Sequence, residues 1–279
     1  MKKIGVLLSQ INGTQLTSEC LSSLNECTYE NINYYVGDNF SDSLDIVTIF
    51  EKYPNVNFFL YKKRLNYCET FNYLANKAIS DGCEFIFMVN NDTKNFSMDY
   101  FEQIISTFED RQVGMVGSAC LDYENNAIHS SNKLKNKFGE SVVIPTEGFI
   151  VRASAWKSVG GLDERLEMYG EDIKLIADLN KYGWKIKSNH NVSFAHLGGA
   201  TVKNFPYMKI YLRTRNGVLL LRSFKLPTKY KMRYLIDWIL PTLKSLFSSN
   251  NLSLIVYTPL ALIVFIIGLI VGLVKRKLN

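Results

Sequence analysis

The sequence predicts an α/β fold: a mostly parallel sheet with helices on both faces, plus a C-terminal helical tail that associates with a membrane. Three observations carry this. Short runs rich in Val, Ile, Phe and Tyr alternate with segments whose apolar residues recur at helical spacing. The runs are followed by Ser, Asn and Asp, polar residues placed where an open sheet presents its ligand-binding edge. The last quarter of the chain then changes character, becoming basic and finally continuously apolar.

Residues 4–8, 32–36, 56–61 and 84–89 read as strands, because β-branched and aromatic side chains suit a pleated, half-buried surface. Between them, 16–24, 44–53 and 70–79 carry the helical period. Strand and helix in strict succession require parallel strands joined by right-handed crossovers. Further along, a helix is expected near 98–108 and a short strand at 192–195. Another helix is expected over 172–182, where Ile173, Leu175, Ile176 and Leu179 fall at helical spacing. Ligands of such sheets bind beyond the carboxyl ends of the strands. That singles out Ser9-Gln10-Ile11-Asn12, Gly37-Asp38-Asn39 and Asn90-Asn91-Asp92.

Of the 279 residues, 47% are hydrophobic and 21% charged, which excludes a disordered or collagen-like chain and leaves ample material for a core. The 5 cysteines form an odd set without a CxxC pair. They argue against a disulfide scaffold or structural zinc, and suit a reducing compartment. The apolar run behind Met1-Lys2-Lys3 stops at Ser9-Gln10, too short for an export signal.

Charge is unevenly divided. Residues 1–202 carry a net −6, whereas 203–279 hold thirteen Lys/Arg against Asp237 alone, a net of +12. A basic tail can serve nucleic acid, but here an uncharged run of 23 residues follows, over 252–274. At about 1.5 Å per residue such a helix spans the roughly 30 Å hydrocarbon layer. The tail is therefore read as a membrane anchor, with no nucleic-acid partner. A buried terminal helix or an apolar dimer seam is the alternative, and homo-oligomerisation stays open. Residues 234–247, shorter and interrupted by Asp237, Pro241 and Lys244, read as an interfacial helix at an anionic inner leaflet. The expected organisation is a catalytic domain over 1–222, a basic juxtamembrane segment over 223–250, and a transmembrane helix with a basic end over 251–279. A single span would put Lys275, Arg276 and Lys277 outside, against the positive-inside tendency; a hairpin with 234–247 would keep both ends inside.

Neither GxGxxG after the first strand nor GxxxxGK[ST] anywhere is present, so the glycines of a dinucleotide site or P-loop are missing. Carboxylates repel phosphate, but they hold a divalent cation that in turn holds pyrophosphate, which suits Mg²⁺ or Mn²⁺. Against that background the motifs resemble those of family 2 glycosyltransferases of the GT-A (Rossmann-like) fold. Tyr35-Val36-Gly37-Asp38-Asn39-Phe40-Ser41-Asp42 is similar to the family's V-D-N-x-S-x-D stretch. Phe87-Met88-Val89-Asn90-Asn91-Asp92-Thr93 is similar to its L-N-x-D-T form of the DxD motif. Gly160-Gly161-Leu162-Asp163-Glu164 with Tyr169-Gly170-Glu171-Asp172 resembles its G-G-F-D-E…Y-x-E-D block. His196-Leu-Gly-Gly-Ala-Thr201 and Arg213-Thr-Arg215-Asn216 resemble the later H-x-x-G-x-S and R-x-R-N elements. Taken in order, the match covers roughly 3–222, and within the family it is most similar to rhamnosyltransferase-type enzymes of bacterial surface polysaccharide assembly.

The resemblance implies a role for each matched residue. Asp38, with Asn12, Asn39 and Ser41 around it, would contact the uracil or thymine ring; an Asx-turn closing the strand is the alternative. Asp92 would hold the cation on the donor diphosphate, with His196 as a second ligand or as a structural histidine. Asn90 stands where many relatives have Asp; with Asn91 and Asn72 it would contact ribose or sugar. Arg213 and Arg215 would clamp the diphosphate or a lipid diphosphate acceptor, or else belong to a solvated basic face. Asp172 would be the general base and Glu171 its rival, although acids in a first helical turn are also ordinary partners of the helix dipole. Lys174 replaces a second family Asp, and Arg64 and Asn66 replace family Asn and Gly. Arg152 matches a family Arg with a structural role open to it.

The reading is an inverting glycosyltransferase at the cytoplasmic face of the cell inner membrane. It would move one sugar from a UDP- or dTDP-sugar to a lipid-linked or polysaccharide acceptor. The Q-x-x-R-W signature of processive synthases is missing. The rivals are a sugar nucleotidyltransferase, which would want a basic residue in the loop 9–14, and a catalytically inactive membrane-anchored binder of nucleotide sugars.

Overall fold

The computed structural model describes residues 1–42, 46–124, 127, 147–198, 206–223, 263 and 265–274. The chain divides into two compact units, Met1–Leu162 with Leu175–Thr201, and Asp163–Lys174 with Val202–Asn279. Residues 206–222, expected inside the catalytic domain, group with the C-terminal residues in this division.

Eight strands make the first unit's sheet: β1 (Ile4–Gln10), β2 (Ile32–Asp38), β3 (Val56–Leu60), β4 (Phe85–Val89), β5 (Thr93–Lys94), β6 (Val113–Asp122), β7 (Gly148–Arg152) and β8 (Lys185–His196). Their order is β3-β2-β1-β4-β7-β6-β8-β5. β1 pairs in parallel with β2 and β4, and β2 with β3, as the strand–helix alternation predicts; β6 and β8, which that alternation did not cover, are also parallel. β7 runs antiparallel between β4 and β6, and β5 lies antiparallel on β8, so the sheet is mixed. β1 and β2 each run two residues past their apolar stretches, because Ser9 and Gln10 continue the ladder onto Gly37 and Asp38.

Helices α1 (Thr14–Leu24), α2 (Ile46–Lys52), α3 (Tyr67–Ser80), α4 (Tyr100–Thr107), α5 (Ala153–Val159) and α6 (Glu171–Lys181) punctuate the strands. The period-two alternation of the strands feeds two separate cores. On one face Val6, Leu8, Val36, Phe85, Phe87 and Ile150 pack with Leu21 of α1 and Phe101 and Ile104 of α4. On the other, Leu7, Tyr35, Ile86, Met88 and Val151 pack with Phe71 and Leu74 of α3 and Trp156 of α5. Asn66, which stands in place of a family glycine, starts α3: its side chain accepts from the Glu69 amide at 2.9 Å, and the Glu69 carboxylate accepts from the Asn66 amide at 2.8 Å. This reciprocal capping box satisfies two otherwise orphaned donors. Arg152 is structural, its guanidinium donating to the Phe108 and Val113 carbonyls at 2.7 and 3.0 Å.

The second unit contains a short 3₁₀ turn (Glu164–Leu166), the start of α6, a helix α7 (Pro206–Ser223) and a helix α8 over 265–274. Leu166, Ile210, Val218, Leu219, Leu220 and Phe265 form its core. A Cβ on Gly272 would stand 2.7 Å from the Arg215 carbonyl oxygen, and one on Gly268 would stand 3.0 Å from that of Tyr211. The Gly-x-x-x-Gly pair is thus what lets α8 lie against the backbone of α7. Among the described residues no helix is long and apolar enough to cross a membrane. The expected interfacial helix at 234–247 and most of the expected span at 252–274 lie outside the described residues.

Candidate active site

Strand order reverses between β1 and β4, and such a reversal opens a crevice beyond the carboxyl ends of the strands. The polar residues singled out in the sequence stand there, tied to one another. Asp38 is buried: its Oδ1 accepts from the Ser41 amide at 3.0 Å, and its Oδ2 accepts from the Ser41 hydroxyl at 2.6 Å and from the Gln10 side-chain amide. Two of these bonds close an Asx-turn and the third crosses from β1, so three of a carboxylate's roughly four acceptor positions are used and one is left for a ligand donor. Asn12, at φ 48°, donates its backbone N–H to Ser41 Oγ at 2.9 Å and exchanges side-chain and backbone hydrogen bonds with Asp42 at 3.0 and 2.8 Å.

Two residues expected to touch the nucleotide sugar are engaged with backbone instead. Asn39 gives to and takes from Leu65, both at 2.8 Å, which fixes the approach to α3. Asn72 does the same with Leu162, both at 2.9 Å, and so pins the turn through Gly160 and Gly161, each at φ near 80°. Asn91 is buried with its amide on Thr17 Oγ1 at 3.0 Å. Asn90 accepts from the Tyr67 hydroxyl at 3.2 Å, and its backbone N–H donates to the Glu147 carbonyl at 2.9 Å.

Asp92 and His196 come from distant parts of the chain. The antiparallel register of β5 on β8 sets Thr93 opposite His196, and the Leu197 amide donates to the Asp92 carbonyl at 3.0 Å. The side chains then meet with His196 Nε2 3.1 Å from Asp92 Oδ1, both buried. Burial works against a charged imidazole, but the hydrogen bond and charge of Asp92, with Glu147 and Asp122 beyond, outweigh it and raise the His196 pKa.

No group of three His, Cys, Asp or Glu side chains arranged to hold a metal occurs among the described residues. The Asp92–His196 pair nonetheless fits a divalent cation of the kind inferred from sequence, with the cation replacing the proton that the two side chains share. A carboxylate oxygen and an imidazole nitrogen are two hard-to-intermediate ligands, and Mg²⁺-type sites are commonly completed by substrate phosphate and water rather than by an all-protein cage.

In the second unit Glu171 and Asp172 open α6, both buried. Burial, then the neighbouring Asp172 charge, raises the Glu171 pKa to about 8, and Glu171 Oε2 meets no hydrogen-bond partner among the described residues. The loop before them is bent sharply. Met168 N donates to the Leu166 carbonyl at 2.8 Å around Glu167 at φ 65°, ψ −62°, a γ-turn of the strained, positive-φ kind. Tyr169 at φ 70° and Gly170 at φ 92° follow. Non-glycine residues in such conformations cost about 1–3 kcal/mol each and persist where surrounding contacts over-determine them.

Those contacts come from α7. Arg215, nearly buried, pairs with Glu167 at 2.6 Å and donates to the Leu166 and Arg165 carbonyls at 2.9 and 3.3 Å. Its Nε is held by Asn216 Oδ1 at 2.9 Å, while Asn216 Nδ2 reaches the Leu166, Met168 and Tyr169 carbonyls at 2.6, 2.8 and 2.8 Å. Arg215, expected as a diphosphate clamp, is therefore spent on protein backbone. Arg213 is half-buried on the same helix, and its charge bears on the Tyr169 phenol. Gln10, Tyr67, Glu167 and Asn216 were not expected as site residues. Only the motif position of Asn216 and the strand-end position of Gln10 could have flagged them.

Comparison with known proteins places this mixed sheet in a family. The model of the glycosyl transferase family group 2 matches residues 85–275, well over half of the chain. The chain belongs to that family: it is a glycosyltransferase of the GT-A type. Among solved structures it is similar to S. aureus TarS 1-349, at 14% identity and a TM-score of 0.66, over 96% of this chain and 81% of that one. The same fragment in complex with UDP-GlcNAc matches at 16% identity and 0.66, with the same coverage. The mannosyltransferase PcManGT from Pyrobaculum calidifontis, in complex with GDP-Man and Mn²⁺, matches at 17% identity and 0.60, over 98% of this chain and 86% of that one. No curated protein matches at the level that marks a relative.

Proposed function

We propose that the chain is an inverting glycosyltransferase that moves one sugar from a UDP- or dTDP-sugar to a hydroxyl of a lipid-linked glycan during cell-surface polysaccharide assembly. The observation that carries the reading is the Asp92–His196 pair beyond the carboxyl ends of β4 and β8. When bound there, Mg²⁺ or Mn²⁺ would neutralise negative charge as it grows on the leaving diphosphate. The Mn²⁺ and nucleotide sugars bound by similarly folded transferases support this. A pyrimidine base is supported by the free acceptor position of Asp38, which can take a ring N3–H. A rhamnosyltransferase-like donor is supported by motif resemblance.

Asp172 is the general base, taking the acceptor proton as the hydroxyl attacks the anomeric carbon from the face opposite the diphosphate. The raised pKa of Glu171 supports that division of labour, since a carboxyl protonated at neutral pH cannot accept a proton. Attachment to the inner leaflet of a bacterial cytoplasmic membrane is supported by the basic, then apolar, tail. It is supported further by the exposed Ile266, Ile267, Ile270 and Leu273 of α8.

The test is a panel of UDP- and dTDP-sugars assayed for Mn²⁺-dependent nucleotide release by membranes containing the protein, with lipid-linked acceptors supplied. Release from one donor that rises with acceptor establishes the reaction. No release from any donor, with or without acceptor, contradicts it.

A further inference from the structure

Arg215 and Asn216 carry their polar groups on a buried stretch of α7, where side chains with so many donors are costly unless each donor is used. Their partners lie on one short loop, residues 165–169. The Leu166 carbonyl alone accepts from Met168 N, Arg215 Nη2 and Asn216 Nδ2. Four carbonyls of a strained turn, those of Arg165, Leu166, Met168 and Tyr169, are thus held from outside, and Gly170 alone separates that turn from Glu171. Released from α7, a turn with Glu167 and Tyr169 at positive φ would relax toward commoner conformations and carry the start of α6 with it. The backbone N–H groups of Tyr169 and Glu171 donate to the Glu171 carboxyl, so a shift of the turn carries that side chain with it.

We infer that Arg215 and Asn216 are positioning residues for the general base: α7 clamps the 165–170 turn in a strained shape that fixes where Glu171 and Asp172 stand. The inference rests on the proposed role of Asp172 and assigns Arg215 a task other than binding diphosphate. Glu167 belongs to the clamp as the ion partner of Arg215. A catalytic group displaced by about 1 Å can lose some 100-fold in rate without losing substrate affinity, which makes the clamp visible in kinetics.

The experiment uses full-length protein in membranes. Asn216→Asp keeps the volume but turns a donor toward three carbonyls into an acceptor; Glu167→Gln is the milder variant, at a half-exposed position where misfolding is not at issue. Two quantities are read: hydrogen exchange of the peptides covering 163–174, with β1–β4 peptides as internal control, and kcat against donor KM for transfer. Expected are faster exchange confined to 163–174 and a kcat lowered about 10- to 100-fold in Asn216→Asp. Glu167→Gln should show a smaller loss of the same kind, and donor KM should stay within about twofold in both. A matching loss of donor affinity would return Arg215 and Asn216 to donor binding and overturn the inference. Unchanged kcat despite faster exchange would also overturn it, while leaving the glycosyltransferase reading intact. Absence of transfer by the unmodified protein would instead overturn the reading on which the inference rests.

Discussion

The two polar centres of the molecule are built on opposite plans. Around Asp38 and Asp92, strands deliver the side chains, and register does the positioning: Gln10 lies opposite Asp38 in the β1–β2 ladder, and Thr93 opposite His196 in the β5–β8 ladder. Around Glu171, a turn with three positive φ values within residues 167–170 delivers the acids, and a helix far along the chain holds the turn. A sheet edge is rigid because its backbone groups are already paired, so short polar side chains suffice to finish the site. A strained turn has no such ladder and needs buried Arg and Asn donors to keep its carbonyls in place. The lesson is that a donor-binding edge can be lost one side chain at a time, whereas the base can be lost by damage at a distance.

The sharpest break between the two centres is expected from Asp172→Asn. Removing a general base costs about 10²- to 10⁴-fold in kcat, and donor affinity should not follow. Glu171→Gln should cost less; the reverse order would hand the base role to Glu171.

Glu171 also makes the stability of the protein pH-dependent. Its folded pKa, about 8, lies above its ordinary value of 4.5. The stability it contributes as a neutral group is therefore fully present below about pH 4.5 and is lost as pH rises through about 8. Gln cannot ionise, so the Tm advantage of Glu171→Gln over the unmodified protein should grow across that window and level off above it. A difference that stays constant with pH would show that Glu171 is not held protonated.

Gly272→Val probes α7 itself, through its contact with α8. The added Cβ would meet the Arg215 carbonyl oxygen at 2.7 Å and Val218 Cβ at 2.8 Å, an overpacking worth about 1–3 kcal/mol of stability by denaturant titration. Asn66→Ala should have the smallest effect, about 1 kcal/mol of stability from loss of the α3 cap.

Much of this was legible in the sequence, for identifiable reasons. The four N-terminal strands and three intervening helices announced themselves because period two and period 3.6 are both written in apolar residues. The polar ends of β1 and β2 were less visible, since hydrophobicity stops at Leu8 and Val36 while the hydrogen-bond ladder continues to Gln10 and Asp38. β8 was read only at 192–195 because its first half is polar and partly exposed. The antiparallel β7 carries no local signal of its direction. Asp92 and His196 were each singled out by motif, but their contact depends on a two-residue strand pairing that no local pattern encodes. Arg215 was read as a ligand clamp, and its contacts with its own chain were not legible, because an arginine on a helix looks the same in sequence whether it faces phosphate or protein carbonyls.

The most direct measurement is titration of UDP in the presence of Mn²⁺ into the unmodified protein, Asp92→Ala and Asp172→Asn, with transfer assayed on the same preparations. The expected result is a dissociation of the two centres: Asp92→Ala loses Mn²⁺-dependent nucleotide binding together with transfer, while Asp172→Asn binds as the unmodified protein does and fails to transfer. Retention of Mn²⁺-dependent binding by Asp92→Ala, or loss of it by Asp172→Asn, would contradict the assignment of donor binding to the sheet edge and of the base to the start of α6.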